Sequence, residues 1–94
     1  MRTIERSTAF KRDFKREAKG RHRRTLDEDL RTVLVALARD QQLERRYRDH
    51  SLTGSWGDYR ECHIKPDLLL IYRKVGVDVL RLARLGSHSE LFDK

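Results

Sequence analysis

One cysteine, one proline and no long apolar run set the first limits on this chain of 94 residues. Cys62 has no partner for an internal disulfide and no CxxC neighbour for a zinc site, which excludes a disulfide scaffold and a zinc finger. A lone thiol suits a reducing compartment. No stretch approaches the roughly 20 apolar residues of a membrane span, and the opening MRTIERSTAF lacks the apolar block of a secretory signal. These absences predict a cytoplasmic protein with no membrane partner. No repeat, low-complexity tract or Pro/Gly/Ser linker divides the sequence, and a length of 94 residues predicts a single domain over 1–94. With 37% hydrophobic against 39% charged residues, the core must be thin and the surface ionic.

The charge that is present is unevenly placed. Residues 1–24 hold ten Lys/Arg (Arg2, Arg6, Lys11, Arg12, Lys15, Arg16, Lys19, Arg21, Arg23, Arg24) against Glu5, Asp13 and Glu17, which accounts for the whole net charge of +7. The other seventy residues balance. A basic N-terminal third favours a polyanionic partner, because phosphates neutralised by Lys and Arg release condensed counterions. A solvated helix face is the bland alternative, and charge alone leaves both open.

Periodicity gives the architecture. Thr3 and Ile4 suit a short first strand, and Ser7 is an N-cap for a helix through Lys19 that stops before Gly20, with Phe10, Phe14 and Ala18 as its buried stripe. A second helix is predicted over Leu26–Ala38, capped by Thr25, with Asp27, Glu28 and Asp29 in its first turn and Leu30, Val33, Leu34 and Leu37 on one packed face. From Trp56, itself expected at the core edge, the period becomes that of strands. Tyr59–Lys65 alternates so that Cys62 and Ile64 face the helices while Glu61 and His63 face away, and Pro66 closes the strand. Leu68–Lys74 is apolar enough for a central strand, and Gly76 turns the chain into Val77–Leu85, followed by a short tail. The order β-α-α-β-β-β predicts an α+β domain: two antiparallel N-terminal helices on one face of a twisted, mainly antiparallel four-stranded sheet, the other face left free.

Three of the four histidines, His50, His63 and His88, lie in the C-terminal half, beside turn signals or on the strand face predicted to be open. Imidazole, with an ordinary pKa of roughly 6.5, gives or takes a proton near neutral pH, so two or three converging suffice for acid–base chemistry. Each taken singly is more commonly a surface or hydrogen-bonding residue. Asp67 can simply open a turn after Pro66, Arg84 can pair with a nearby acid, and periodicity alone makes Phe92 a core plug before a stacking residue. Metal binding is the rival use of these groups, but Cys62 and His63 point to opposite strand faces and no HExxH occurs, so no metal site is expected.

Three blocks, Asp49-His50-Ser51-Leu52-Thr53-Gly54-Ser55-Trp56, Tyr59-Arg60-Glu61-Cys62-His63-Ile64-Lys65-Pro66-Asp67 and Arg84-Leu85-Gly86-Ser87-His88-Ser89-Glu90-Leu91-Phe92, occur in order and together closely resemble the YafQ branch of the RelE toxin family. The first 48 residues match it only in helix pattern and basic character. The resemblance implies a ribosome-dependent endoribonuclease that cuts mRNA without a cofactor and is held inactive by a co-expressed antitoxin of the RelB/DinJ kind, with any DNA binding confined to the antitoxin complex. It implies His50, His63, Asp67 and His88 as the catalytic group, with Arg84 and Phe92 contacting RNA. Lys11, Lys15 and Lys19 are expected to dock on ribosomal RNA. Two departures stand out: Leu68 replaces a Trp of many relatives, which touches codon preference, and Ser51 replaces a Pro. The competing reading is a non-enzymatic toxin of the same fold with another target, or a plain nucleic-acid-binding module.

Overall fold

The computed structural model describes residues 1–92. Its elements run β1 (Thr3–Arg6), α1 (Thr8–Glu17), α2 (Leu26–Ala38), β2 (His50–Ser51), β3 (Arg60–Lys65), β4 (Leu68–Val75), β5 (Val79–Gly86) and α3 (His88–Phe92), with single 3-10 turns at Arg45–Tyr47 and Gly54–Trp56. The strands form one mixed sheet in the order β1-β5-β4-β3-β2, with β1 parallel to β5 and every other pair antiparallel. The expected α+β layout therefore gains a fifth strand and a third helix. Two-residue β2 carries no periodicity of its own and exists only through its pairing with β3. Helix α3, expected as a tail, starts from a reciprocal cap visible in Ser87-His88-Ser89-Glu90: the Ser87 hydroxyl accepts the Glu90 N–H, and the Glu90 carboxylate accepts the Ser87 N–H.

Helix α1 starts where Ser7 accepts the Phe10 N–H and ends two residues before the expected Lys19. Its inward stripe is not Phe10, Phe14 and Ala18. Ala18 is exposed, and Asp13, 3% exposed, takes the inward place between Phe10 and Phe14. Helix α2 keeps its expected bounds and buries Leu26, Leu30, Val33 and Leu37. Strand β4 is buried on both faces. Leu68, Leu70 and Tyr72 join Cys62, Ile64 and the two long helices in one core, while Leu69 and Ile71 meet Ala83 and Leu91 on the other side. That second face, expected to be free, is partly roofed by Leu52, Trp56, Tyr59 and Phe92.

Asp13 ties the layers together. One carboxylate oxygen accepts Arg84 Nε (2.7 Å) and the Leu85 N–H (2.9 Å), and the other accepts Arg16 Nη1 (3.0 Å) and Arg84 Nη2 (3.2 Å). Beyond Arg6↔Leu82 the strand β1 no longer pairs with β5, so this side chain supplies an acceptor for the backbone there. Burial by itself raises the carboxyl pKa, but the hydrogen bonds from Arg84 and Leu85 and the charges of Arg84 and Arg16 outweigh it and hold the group below its ordinary value. A carboxyl that ionises more readily folded than unfolded stabilises the protein above about pH 4, and this contribution is lost as pH falls through the folded value. Asp13→Asn is expected to cost about 2–3 kcal/mol at pH 7, less than a fully buried pair because both arginines keep contact with water. Urea unfolding of both proteins at pH 7 and pH 3 checks this: the gap must shrink at the lower pH.

Candidate active site

The sheet register assembles the candidate residues. His50 on β2 pairs with Glu61 on β3, Glu61 with Ile71 on β4, and Ile71 with Arg84 on β5, which makes one row across four strands. The neighbouring row runs His63, Leu69, Gly86, and the chain then passes through Ser87 to His88 at the start of α3. Short β2 thus delivers His50 to the face that β3 and β5 already supply.

Glu61 is the residue that reading the histidines singly overlooked. It is 6% exposed, and its Oε1 lies 3.5 Å from His63 Nε2 and 3.8 Å from His50 Nε2. Strand alternation had put Glu61 on the face of His63, and that was the signal available for it. The Nδ1 of His50 is 2.8 Å from the Arg48 carbonyl. A carbonyl only accepts, so Nδ1 bears the proton and Nε2, turned to Glu61, is the open nitrogen of the neutral ring. Arg48 itself takes the left-handed φ of 50° just before this segment, a conformation that non-glycine residues adopt at a cost. Asp49 next to His50 accepts the Tyr72 hydroxyl at 2.5 Å and the Arg60 guanidinium at 3.3 Å, which anchors β2 to the sheet.

His50, Glu61 and His88 line one cleft with Trp56 and Phe92. The His88 ring packs on Phe92 at 4.9 Å between centroids, and Phe92 meets Trp56 edge-on at 6.4 Å. His63 reaches this group through Glu61 but opens on an adjoining cleft with Arg46, Arg48 and Lys65. Phe92 and Trp56 are each half-buried, so both present ring surface to the cleft. Leu68, in the position where many relatives have Trp, is 1% exposed in the helix-side core and has no surface on which a base can stack. Ser51 accepts Arg60 Nη1 at 2.8 Å.

Asp67 stands apart from the three histidines. It occupies the turn between β3 and β4, where its oxygens lie 2.7 Å from His22 Nε2 and 3.1 Å from Arg21 Nη1, in a cleft that also includes Ser87. Burial pushes its carboxyl up, but the hydrogen bond from His22 and the charges of His22 and Arg21 leave it below its ordinary value. The imidazole that Asp67 touches is therefore the fourth one, carried by the α1–α2 connection, where no local pattern marks it. Arg84 is held by Asp13 through Nε and Nη2, which leaves Nη1 without a partner among the described residues. Lys11 and Lys15 on α1, and Lys19 just after it, are exposed.

Cys62 is fully buried, and burial, with the charges of Asp49 and Glu61, pushes its thiol well up, so it is neither nucleophile nor ligand. Among the described residues no three His, Cys, Asp or Glu side chains converge closely enough to hold a metal ion. No helix of these residues is long and apolar enough to cross a membrane.

The chain is similar to known proteins both in sequence and in fold. The mRNA interferase toxin YafQ of Escherichia coli K12 is 50% identical over 46 residues, 49% of each chain, so this match spans about half of that relative. Its counterpart from E. coli B is 34% identical over 91 residues, covering 95% of this chain and 98% of the relative. A metal-bound toxin from Helicobacter pylori superposes with a TM-score of 0.82 at 45% identity, over 98% of this chain and all of that one. The toxin in the E. coli DinJ–YafQ toxin–antitoxin complex superposes with a TM-score of 0.79 at 37% identity, over 97% of each chain. The family model for YafQ, a bacterial toxin of a type II toxin–antitoxin system, matches residues 2–93, and the chain belongs to that family.

Proposed function

We propose that this YafQ-family toxin is a ribosome-dependent endoribonuclease that cuts mRNA by metal-independent general acid–base catalysis and so stops translation in the cytoplasm. The observation that carries the reading is the cleft shared by His50, Glu61 and His88. RNA brings its own nucleophile, the ribose 2′-hydroxyl, so the protein needs a base, an acid and a counter-charge, and no covalent intermediate. His50, with Nε2 open, or His63 takes the 2′-hydroxyl proton. Glu61, within 4 Å of both rings, steadies the imidazolium that results. His88 protonates the departing 5′-oxygen. Arg84, locked by Asp13 with Nη1 to spare, opposes the charge that grows on the phosphoryl oxygens. Asp67 acts with His22 at the margin of the site. Phe92 stacks on a base, with Trp56 beside it at the cleft. The products are a 2′,3′-cyclic phosphate and a 5′-hydroxyl.

Lys11, Lys15 and Lys19 dock the protein on ribosomal RNA. The partner that silences it is a DinJ-like antitoxin, as in the E. coli complex, acidic where it meets this basic surface so that antitoxin and ribosome exclude one another. Any DNA binding passes through that complex.

The test is cleavage of message on translating ribosomes, with 5′ ends mapped. His88→Ala and His63→Ala are each expected to lower the rate by about 10²- to 10⁴-fold with ribosome binding intact. Full activity in both variants removes the acid–base assignment. Toxin treated with a chelator and then freed of it is expected to cut at an unchanged rate on ribosomes kept in their usual magnesium; a loss that an added transition metal restores contradicts the metal-independent mechanism. Replacing Lys11, Lys15 and Lys19 by Gln is expected to reduce the slope of log affinity against log salt by roughly 0.7–0.9 per lysine without changing the codon cut. An unchanged slope places the docking surface elsewhere.

A further inference from the structure

Among the ten basic residues of the N-terminal third, Arg16 is placed unlike the exposed lysines beside it. Its guanidinium donates Nη2 to the Leu85 carbonyl of β5 (2.8 Å) and Nη1 to Asp13 (3.0 Å), while Nε lies 3.0 Å from Glu17 and 3.1 Å from Glu90 on α3. One planar fork thus joins α1, the end of β5 and α3. A lysine, with a point charge and no fork, cannot make these contacts together. The backbone is shaped to admit it. A Cβ at Gly86 would stand 2.7 Å from Arg16 Nη2, 3.0 Å from Glu90 Oε1 and 3.2 Å from Leu91 Cδ2, so a side chain there would push the arginine fork and its neighbours on α3 aside.

Helix α3 needs outside support. Its five residues fall far below the roughly 12–15 at which a helix becomes marginally stable alone. The Ser87–Glu90 cap is local and would travel with the helix if it moved. The buried Leu91 packs on Leu69, Ile71 and Ala83 and seats the helix on the sheet. Glu90 ties it to α1 as well, its two oxygens dividing the work: Oε1 caps α3 and Oε2 meets Arg16. His88 lies two residues before Glu90 on this short helix, so the aim of its ring follows from how α3 is held.

We infer that Arg16, gripping Glu90, is a positioning residue that aims His88 into the cleft, rather than one of the cations that dock the protein. The part of this concerning catalysis rests on the nuclease reading; the clamp on α3 does not. Arg16 and Glu90 are 41% and 40% exposed, and an ion pair so open to water contributes little to global stability. Breaking it leaves the protein folded and α3 loosened.

The test uses Arg16→Gln and Glu90→Gln, the second of which keeps the cap and the Asp13–Arg84 pairing but loses the ion pair. In the ribosome assay kcat is expected to fall roughly tenfold in each, the scale of a small misplacement of a reacting group, with KM and the salt slope unchanged. Arg16→Lys recovers only part of the loss, and neither substitution lowers the rate further in a His88→Ala background. Amide hydrogen exchange at Glu90 and Leu91, which needs no RNA, speeds up in both variants, while Tm stays within a few degrees of wild type in Glu90→Gln, which leaves the contacts of Asp13 in place. Faster exchange in a protein with no nuclease activity upholds the clamp and rejects the nuclease reading. Unchanged exchange overturns the clamp, and a loss confined to KM and the salt slope makes Arg16 a docking cation and overturns the positioning role.

Discussion

The buried carboxylate of Asp13 is the interaction on which the rest of this structure depends. A charge with 3% exposure inside a thin core is tolerable only when every lone pair is occupied, and here two arginines and a backbone N–H occupy them. In return, α1 is fixed to the end of β5 where the sheet edge has lost its partner strand. The same contact orients Arg84 and brings Arg16 within reach of α3. Helix packing and site geometry are therefore one problem with one solution.

The basic character of the N-terminal third divides accordingly. Arg2 reaches Asp40 and the backbone of the β4–β5 turn and Arg16 joins three elements, so these two cations are committed within the fold, whereas Arg21 meets Asp67 from an exposed position. Lys11, Lys15 and Lys19 stay exposed. Arg2 and Arg16 sit where a planar fork satisfies several acceptors, while Arg6, Arg12, Arg23 and Arg24 stay exposed like the lysines. A count of positive charge treats the two groups as one.

Burial of the sheet on both faces explains how a chain with so little apolar content keeps a defined cleft. The helix-side core holds the sheet, while a second, smaller cluster of Leu69, Ile71, Ala83 and Leu91 lets α3 and the Leu52–Tyr59 segment rest on the far face. Between these two covers lies the cleft that His50, the buried Glu61 and His88 line together. Glu61 and Asp13 are the two buried charged residues among those described, and they contrast: Asp13 is saturated by hydrogen bonds, whereas Glu61 has imidazoles at 3.5 and 3.8 Å. The first arrangement suits a structural anchor. The second leaves room for a proton to move.

Sequence by itself determined the elements whose signal is local and repeated: α2 from its i, i+3, i+4, i+7 stripe, β4 from its apolar run, β3 from alternation that put Glu61 and His63 on one face, and the family from three ordered blocks around the histidines. The capping pattern at Ser87–Glu90 was equally readable and would have marked α3 as a helix. Only tertiary structure decided that two-residue β2 would pair with β3, that β1 would lie parallel beside β5, that Asp13 would turn inward in place of Ala18, and that Asp67 would meet His22. The division is physical. Periodicity encodes which side of an element is apolar, because burial acts residue by residue, but a contact between residues 45 or 71 positions apart depends on how separate elements pack, and no local repeat carries that information.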